Sequence, residues 1–219
     1  MEKISLVILN FNQGSRIDRA IRSCQNQFRT AFEVEIIVVD DGSTDDSHSV
    51  LKEFESQILL IKNQKNVGVG ASSKIAFQAH TGNYFMRVDA DDFLSPIACP
   101  TLHLALLANP HISYAYADHY RVNEKGFKQE LVQLDNFDKL VKHGAGVLFR
   151  TKDIETVGGF DENLRNCEDM DLLFKLYVGG KQGIRVPVPL YRYYQHGSNI
   201  SQTEAQEKSE RELRSRYGI

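Results

Sequence analysis

The sequence predicts an α/β domain with a mainly parallel central sheet flanked by helices. Short, continuous apolar runs such as Ile4–Leu9 and Val34–Val39 are typical of strands buried on both faces. Between these runs, apolar residues recur at helical spacing, as they do from Ile17 to Cys24. Repeated strand–helix units of this length imply parallel strands covered by helices. The length of 219 residues suits one domain or two tightly fused halves.

In the first half, strands and helices alternate regularly. The predicted strands are Ile4–Leu9, Val34–Val39, Ile58–Ile61 and Tyr84–Val88. A helix is expected between the first two strands, and another should carry Val50, Leu51 and Phe54, with Ser43 or Thr44 as its cap. A third helix, Gly68–Ala79, follows a glycine-containing turn.

The second half is less regular, with shorter elements. The predicted elements are a helix over Pro96–Ala108, a strand over Ile112–Ala117, a hairpin over Tyr120–Val132, a strand over Val147–Arg150, a helix over Asp169–Tyr177, an extended segment over Ile184–Tyr194 and a charged surface helix over Thr203–Tyr217. We expect one domain over 1–201, with its halves meeting at 95/96, and a charged C-terminal helix over 202–219.

Composition excludes several classes of protein. Apolar residues make up 42% and charged residues 25%, as in average soluble domains, and the net charge of −3 gives no global signal for nucleic acid. Three widely spaced cysteines form no CxxC pair, which favours a reducing cytoplasm. The N-terminus lacks a signal peptide's apolar region, and no apolar run is long enough to span a bilayer. Peripheral membrane association stays open.

Polar residues follow three of the predicted strands. The three segments are Asn10-Phe11-Asn12, Asp40-Asp41-Gly42-Ser43 and Asp89-Ala90-Asp91-Asp92. Ligands of open parallel sheets bind beyond the carboxyl ends of the strands, so these segments predict one shared crevice. Each alone could be an ordinary turn or helix cap.

The segment Asp89–Asp92 predicts a metal site. Three carboxylates in four residues repel one another unless a cation or hydrogen-bond donors compensate. Mn²⁺ or Mg²⁺ prefers oxygen ligands and commonly binds one or two carboxylates together with substrate phosphates. The alternative interpretation is an acidic N-terminus for the helix that follows.

A second acidic cluster, Glu168-Asp169-Met170-Asp171, begins the late helix. Its acids could complement the helix dipole, or one of them could act as a general base.

The glycines of Asn66-Val67-Gly68-Val69-Gly70 would let a phosphate or ribose approach the backbone. His196 is expected in an exposed loop, where it could complete a metal site or contact phosphate.

Taken together, these motifs resemble family 2 glycosyltransferases of the GT-A fold. The resemblance runs from Ser5 to about Ser201. Its segments are Ser5–Asn12, Glu35–Asp45, Asn66-Val67-Gly68, Asp89–Asp92, Gly158–Glu162 and Glu168-Asp169. It implies a Rossmann-like sheet whose first half, 1–95, binds a nucleotide sugar. The smaller region, 96–201, would hold the acceptor and the catalytic base.

The resemblance also implies a role for each matching residue. Asn10, Phe11 and Asn12 would lie near the nucleotide, Asp41 would read the base and Asp40 would support the loop. Asp89 and Asp91 would hold nucleotide and metal, with Asp92 as an alternative ligand and His196 near the diphosphate. Asp169 would be the base, and the remaining substrate-binding residues would be Asn66, Gly68, Lys74, Gly146 and Glu168.

Two departures from the family pattern affect the prediction. Leu9 stands where many relatives have proline or threonine, and Ser73-Lys74 replaces a common arginine–asparagine pair, although Lys74 could still meet phosphate. The aromatic-rich motif of processive synthases is missing, which favours the transfer of a single sugar.

The resemblance implies inverting, metal-dependent transfer from a nucleotide sugar, with a UDP-sugar as the first choice. The expected acceptor is a growing glycan, which as a lipid-linked molecule would bring the enzyme to the inner membrane face. The charged tail could support a homo-oligomer. Two other functions stay open: a sugar-phosphate nucleotidyltransferase, although the first strand leads into no glycine-rich phosphate loop, and a non-catalytic nucleotide-sugar-binding protein.

Overall fold

The computed structural model describes residues 1–29, 31–195 and 204–219. The strands are β1 (Glu2–Asn10), β2 (Phe32–Asp40), β3 (Leu59–Lys62), β4 (Tyr84–Asp89), β5 (Phe93–Leu94), β6 (Tyr114–Val122), β7 (Lys128–Val132), β8 (Leu148–Arg150) and β9 (Gly183–Tyr194). The helices are α1 (Ile17–Gln25), α2 (Ser47–Lys52), α3 (Val69–Ala79), α4 (Ala98–Ala108), α5 (Phe137–His143), α6 (Thr151–Thr156), α7 (Glu168–Val178) and α8 (Glu204–Tyr217).

A single sheet runs through the described part of the chain, in the order β3-β2-β1-β4-β8-β6-β9-β5, with β7 paired to β6. The strands β3, β2, β1 and β4 are all parallel, as their continuous apolar runs predict. Beyond β4, the pairings of β8 with β4 and with β6 are antiparallel, whereas β6 and β9 are parallel. The predicted α/β class is confirmed, with its regular parallel part in the first half.

Both faces of the sheet are covered by apolar layers. Alternate residues of β1 point to opposite sides: Leu6 and Ile8 join one buried cluster, and Val7 joins the other. The first cluster includes side chains of α1, α2 and α4, and the second includes those of α3 and α7. With both faces packed, a ligand can approach the parallel strands only at their ends.

Several predicted boundaries are wrong. The helix α2 begins at Ser47 after Asp46, so neither Ser43 nor Thr44 caps it. The predicted strand Ile112–Ala117 and the first arm of the hairpin form one strand, β6. The sequence interpretation missed β5, α5 and α6, which have two, seven and six residues.

The charged C-terminal helix α8 packs on the protein rather than standing free. Its Leu213 is buried in the cluster that also contains Phe174 of α7. The Tyr217 hydroxyl donates a hydrogen bond to Asp171 over 2.7 Å. Within the described residues, none of the helices combines the length and the apolar character needed to cross a bilayer.

Candidate active site

The carboxyl ends of β1, β2 and β4 lie side by side. In the strand register, Asn10 stands opposite Asp40, and Leu9 stands opposite Asp89. The Asn10 amide donates to Asp40 Oδ1 over 2.9 Å and to Ser43 Oγ over 3.0 Å. The three polar segments therefore share one edge of the sheet, as the parallel topology predicts.

In the turn after β1, Asn12 has a left-handed backbone conformation. Its φ is 54°, which asparagine tolerates better than most residues. The Asn12 side-chain oxygen accepts a hydrogen bond from Thr44 N, and Asn12 N donates to Ser43 Oγ. These bonds join the turns after β1 and β2. Phe11, beside Asn12 in this turn, is 44% exposed.

The Asp41 carboxylate anchors the loop that carries Asn66 and Gly68. It accepts hydrogen bonds from Asn63 Nδ2 at 2.8 Å, from Val67 N at 2.9 Å and from Gly68 N at 2.9 Å. Asp41 itself is buried. Because a carboxylate offers about four lone-pair positions, one remains on Oδ2 for a further donor.

Arg165 packs against this loop, and Lys74 pairs with the chain segment that carries Arg165. The Arg165 side chain covers Gly68 so closely that a Cβ there would be 2.7 Å from Arg165 Cδ. Arg165 Nη1 lies 3.4 Å from the side-chain oxygen of Asn66. The ammonium of Lys74 pairs with Glu162 over 3.0 Å. Lys74 is therefore engaged by a carboxylate on the chain segment that also carries Arg165.

The acidic segment after β4 contains one open and one buried carboxylate. Asp91 is partly exposed, whereas Asp92 is 1% exposed and its Oδ1 accepts a hydrogen bond from Tyr194 N. Burial, together with the charges of Asp89 and Asp91, raises the pKa of Asp92 well above its ordinary value. Asp92 Oδ2 is buried and has no hydrogen-bond partner in the described chain. The carboxylate repulsion expected from the sequence is thus present.

These residues fit a divalent cation only together with a phosphate ligand. In residues 1–29, 31–195 and 204–219, no three His, Cys, Asp or Glu side chains form a metal site by themselves. One or two carboxylates plus diphosphate oxygens are nevertheless a common ligand set for Mg²⁺. A cation would offset the repulsion that raises the pKa of Asp92. The third predicted ligand, His196, lies outside the described residues.

A guanidinium group connects this acidic segment to helix α7. Arg87 Nη1 donates to Asp89 Oδ1 over 2.7 Å and lies 3.3 Å from Glu168 Oε1. Its Nε donates to Asp169 Oδ1 over 2.9 Å, and Nη2 donates to Asp169 Oδ2. Burial lowers the pKa of Arg87, but the carboxylates of Asp89 and Glu168 outweigh burial and raise the pKa above its ordinary value.

The three acids at the start of α7 differ in exposure and in their partners. The Asp169 side chain is 14% exposed, whereas that of Glu168 is 4% exposed and that of Asp171 is fully buried. Burial raises the pKa of Glu168 despite the nearby Arg87 charge. Asp171 accepts a hydrogen bond from Tyr217 of α8. Of the three, Asp169 is the most open carboxylate beside Arg87.

The turn between α5 and β8 packs against Asp169 and Tyr191. Gly144 has φ 69°, and a Cβ there would be 2.7 Å from Asp169 Cβ. Gly146 N donates to the Arg87 carbonyl over 2.9 Å, and a Cβ on Gly146 would be 2.5 Å from the Tyr191 ring. The Tyr191 hydroxyl accepts a hydrogen bond from Asp89 N. Glycine is required here by both backbone conformation and close packing.

A family model described as "Glycosyl transferase family 2" matches residues 5–158 of the chain. The chain belongs to this family. The domain is therefore a family 2 glycosyltransferase, as its motifs predict. Chondroitin synthase from Escherichia coli is 26% identical over 99% of this chain, which spans only 33% of that synthase.

Two solved structures show the same fold as this glycosyltransferase. Residues 1–349 of S. aureus TarS, in complex with UDP-GlcNAc, align with a TM-score of 0.77 and 19% identity over 97% of this chain and 66% of that chain. The mannosyltransferase PcManGT from Pyrobaculum calidifontis, in complex with GDP-Man and Mn²⁺, aligns with a TM-score of 0.68 and 15% identity over 99% of this chain and 61% of that chain. The predicted GT-A fold is confirmed.

The structure gathers most of the predicted site residues of this glycosyltransferase at the carboxyl ends of β1, β2 and β4 and at the start of α7. The exceptions are Lys74, which pairs with Glu162, and His196, which lies outside the described residues. The sequence interpretation missed Arg87, Arg165 and Tyr191. A signal for Arg87 exists, because a charged residue inside the apolar run Tyr84–Val88 requires a buried partner.

Proposed function

We propose that this domain transfers a sugar from a nucleotide-diphosphate sugar to a hydroxyl of a glycan or lipid-linked glycan, in the synthesis of a cell-surface polysaccharide. One observation carries the proposal: the same guanidinium, that of Arg87, contacts Asp89 at the proposed diphosphate side and Asp169, the proposed base. A single backside displacement requires the proton acceptor to lie across the anomeric carbon from the departing diphosphate, and Arg87 spans from the diphosphate side to Asp169.

The proposed mechanism is one inverting step. The acceptor oxygen forms a bond to the anomeric carbon while the bond from that carbon to the diphosphate oxygen breaks. The proton of the acceptor hydroxyl passes to Asp169. Both Asp169 oxygens accept hydrogen bonds from Arg87, yet each carboxylate oxygen has a second lone pair that can take this proton.

A UDP-sugar is the first choice of donor. The TarS structure that shares this fold contains UDP-GlcNAc, which supports UDP as the nucleotide of the donor. PcManGT contains GDP-Man, so GDP-sugars are the alternative donors to be tested. Asp41 would accept a hydrogen bond from the nucleobase on its remaining lone pair. The other proposed donor-binding residues are Asn10, Phe11, Asn12, Asp40, Asn66, Gly68, Asp89, Gly146 and Glu168, and Lys74 would join them by exchanging Glu162 for a phosphate.

Mn²⁺ or Mg²⁺ is the proposed cofactor. Asp91, as the more open carboxylate, would hold it, with Asp92 and His196 as the other candidate ligands. When bound, the cation would neutralise the charge that develops on the departing diphosphate. The Mn²⁺ in PcManGT supports this choice.

The metal proposal can be tested by binding alone. Calorimetric titration of UDP, with and without Mn²⁺, would compare wild type, Asp91→Asn and Asp18→Asn, whose carboxylate pairs with Arg22 on the surface of α1. We expect Mn²⁺ to strengthen UDP binding to wild type and Asp18→Asn, and to do so much less for Asp91→Asn. Equal UDP affinity in both conditions for all three proteins would remove the metal role.

The acceptor and the setting of the enzyme also remain proposals. The similarity to a chondroitin synthase supports a glycan acceptor. A lipid-linked glycan would bring the domain to the inner membrane face as a peripheral protein. The cytoplasmic location, the homo-oligomer and the domain boundaries stay predictions from the sequence.

The test of the proposed function is a screen of UDP-, GDP- and dTDP-sugars with glycan acceptors. Mass spectrometry would detect the extended glycan, and NMR would give the anomeric configuration of the new linkage. We expect a product of inverted configuration with a UDP-sugar. Pyrophosphate release from a nucleoside triphosphate and a sugar phosphate would instead support a nucleotidyltransferase. Donor binding with neither hydrolysis nor transfer would support a non-catalytic binding protein.

A further inference from the structure

Arg87 is a buried cation at a central position of the sheet. It is the third residue from the end of β4, a strand that pairs with β1 on one side and β8 on the other. Its side chain is only 12% exposed. A buried charge is costly unless it is paired, so the position of Arg87 depends on the carboxylates around it.

The contacts of Arg87 are not equivalent. Asp169 occupies two of the three guanidinium nitrogens, in the side-by-side arrangement that fixes both the distance and the plane of a carboxylate. Asp89 occupies the third nitrogen over 2.7 Å, and Glu168 lies 3.3 Å from that same nitrogen. Asp169 is therefore the carboxylate whose orientation Arg87 controls most strongly.

The main chain reinforces this arrangement. The carbonyl of Arg87 accepts a hydrogen bond from Gly146 N, two residues after the glycine that lies against Asp169. Arg87 thus contacts Asp169 with its side chain and holds, with its backbone, the turn that limits where Asp169 can move.

We propose that Arg87 is a positioning residue for transfer: it orients the Asp169 carboxylate toward the acceptor hydroxyl and ties that orientation to Asp89 on the donor side. This role rests on the proposed function, since it concerns the base of that reaction. Lysine cannot replace arginine here, because a single ammonium offers no planar fork for two carboxylate oxygens. A purely structural role, in which any cation suffices to neutralise three acids, predicts the opposite.

The test compares Arg87→Lys and Arg87→Met with Arg22→Met, a control that removes an exposed guanidinium on α1. Donor KM, kcat for transfer, and thermal melting would be measured for each. We expect kcat to fall about 10²-fold in both Arg87 variants, the loss typical of a misplaced catalytic group, with donor KM nearly unchanged in Arg87→Lys, whose ammonium can still pair with Asp89. Millimolar guanidinium should restore part of the kcat of Arg87→Met, and Arg22→Met should behave as wild type.

A double variant then asks whether Arg87 acts through Asp169. If it does, Arg87→Lys combined with Asp169→Asn should be no slower than Asp169→Asn alone, because the group being oriented is already lost. Multiplied losses would overturn the proposal, because they would show that Arg87 acts on another group.

The remaining outcomes separate this proposal from the proposed function. A folded Arg87→Lys enzyme with the kcat of wild type would overturn the role of Arg87 and leave the transferase function intact. A wild type that neither transfers nor hydrolyses any of the donors would overturn both. If Arg87→Met does not fold, because it leaves three carboxylates without their cation, Arg87→Lys still decides the matter through its kcat and the double variant.

Discussion

The imidazole rings of His119 and His143 stack with their centroids 4.0 Å apart and their planes 15° from parallel. Burial, followed by the charge of His143, lowers the pKa of His119 to about 2. Burial, followed by the charge of Arg87, lowers the pKa of His143 to about 3. His119 Nδ1 and His143 Nε2 are buried without a hydrogen-bond partner in the described chain. Both rings are therefore neutral in the folded protein at neutral pH.

This pair should make the fold sensitive to acid. Below pH 6.5, the ordinary histidine pKa, the unfolded chain binds protons on both rings and the folded protein does not. The free energy of unfolding should therefore fall as pH decreases from about 6.5, by up to about 1.4 kcal/mol per pH unit for each ring. Urea unfolding of wild type and His143→Gln at several pH values measures the slope, which should be shallower in the variant. The exposed His111→Gln serves as control, and an equal slope in all three proteins would contradict the prediction.

Replacing Gly144 should damage catalysis more than stability. Gly144→Ala places a Cβ 2.8 Å from Asp169 Oδ2, so the carboxylate must move. Gly158→Ala is a matched control, because Gly158 also has a positive φ, of 84°, but its Cβ would meet nothing within 4 Å. Both variants should lose roughly 1–2 kcal/mol from the left-handed backbone. Melting curves and transfer rates of both variants would show whether Gly144→Ala alone loses transfer activity. Equal transfer rates in Gly144→Ala and Gly158→Ala would mean that Asp169 tolerates displacement.

The parallel half of the fold could be predicted because its signals are local. Strands such as β1 and β2 are buried on both faces, and continuous apolar runs in the sequence predict them. The helices α5 and α6 could not be predicted so readily. Each is two turns or less, and α6 begins at Thr151, directly after the last residue of β8, without a turn signal. Their stability comes from tertiary packing, to which Leu140 and Ile154 contribute.

The site was predictable only where the topology brings residues together. Asp41 follows β2 and Asp89 ends β4, and both strands pair in parallel with β1, so their place at one edge of the sheet follows from the strand order alone. The contact between Arg87 and Asp169 joins residues 82 positions apart, and no periodicity encodes it. Likewise, the burial of Asp92 under the backbone of Tyr194 depends on how β9 returns to the sheet, which the sequence pattern does not specify.

Asp41→Ala should weaken both nucleobase discrimination and the loop that carries Gly68. The variant leaves three donors without their acceptor, those of Asn63, Val67 and Gly68, at a cost of about 1–3 kcal/mol for each group that water does not reach. Competition by UDP, GDP and dTDP against a bound donor would give the preference order. Asp45→Ala is the control, since that carboxylate accepts hydrogen bonds from Gly14 N and Ser47 N. An unchanged preference order in Asp41→Ala would place base recognition elsewhere.

The last prediction concerns Asp169→Asn, which keeps the size of the side chain and removes the proton acceptor. Its amide oxygen can still accept one hydrogen bond from Arg87, and Arg87 keeps its contacts with Asp89 and Glu168, so the variant should fold and bind donor. If Asp169 is the base, transfer should fall about 10²–10⁴-fold. Asp171→Asn is the control for the first-turn charge of α7; because it also weakens the ion pair with Lys175 and the contacts with Tyr217 and Arg216, its stability should fall while its transfer rate stays near that of wild type. If Asp169 merely complements the helix dipole, Asp169→Asn should lose about 0.3–1 kcal/mol of stability and neither variant should lose transfer. Near-normal turnover in a folded, donor-binding Asp169→Asn enzyme would contradict the assignment of Asp169 as the base. Glu168 would then be the next candidate, because Asp171 is fully buried.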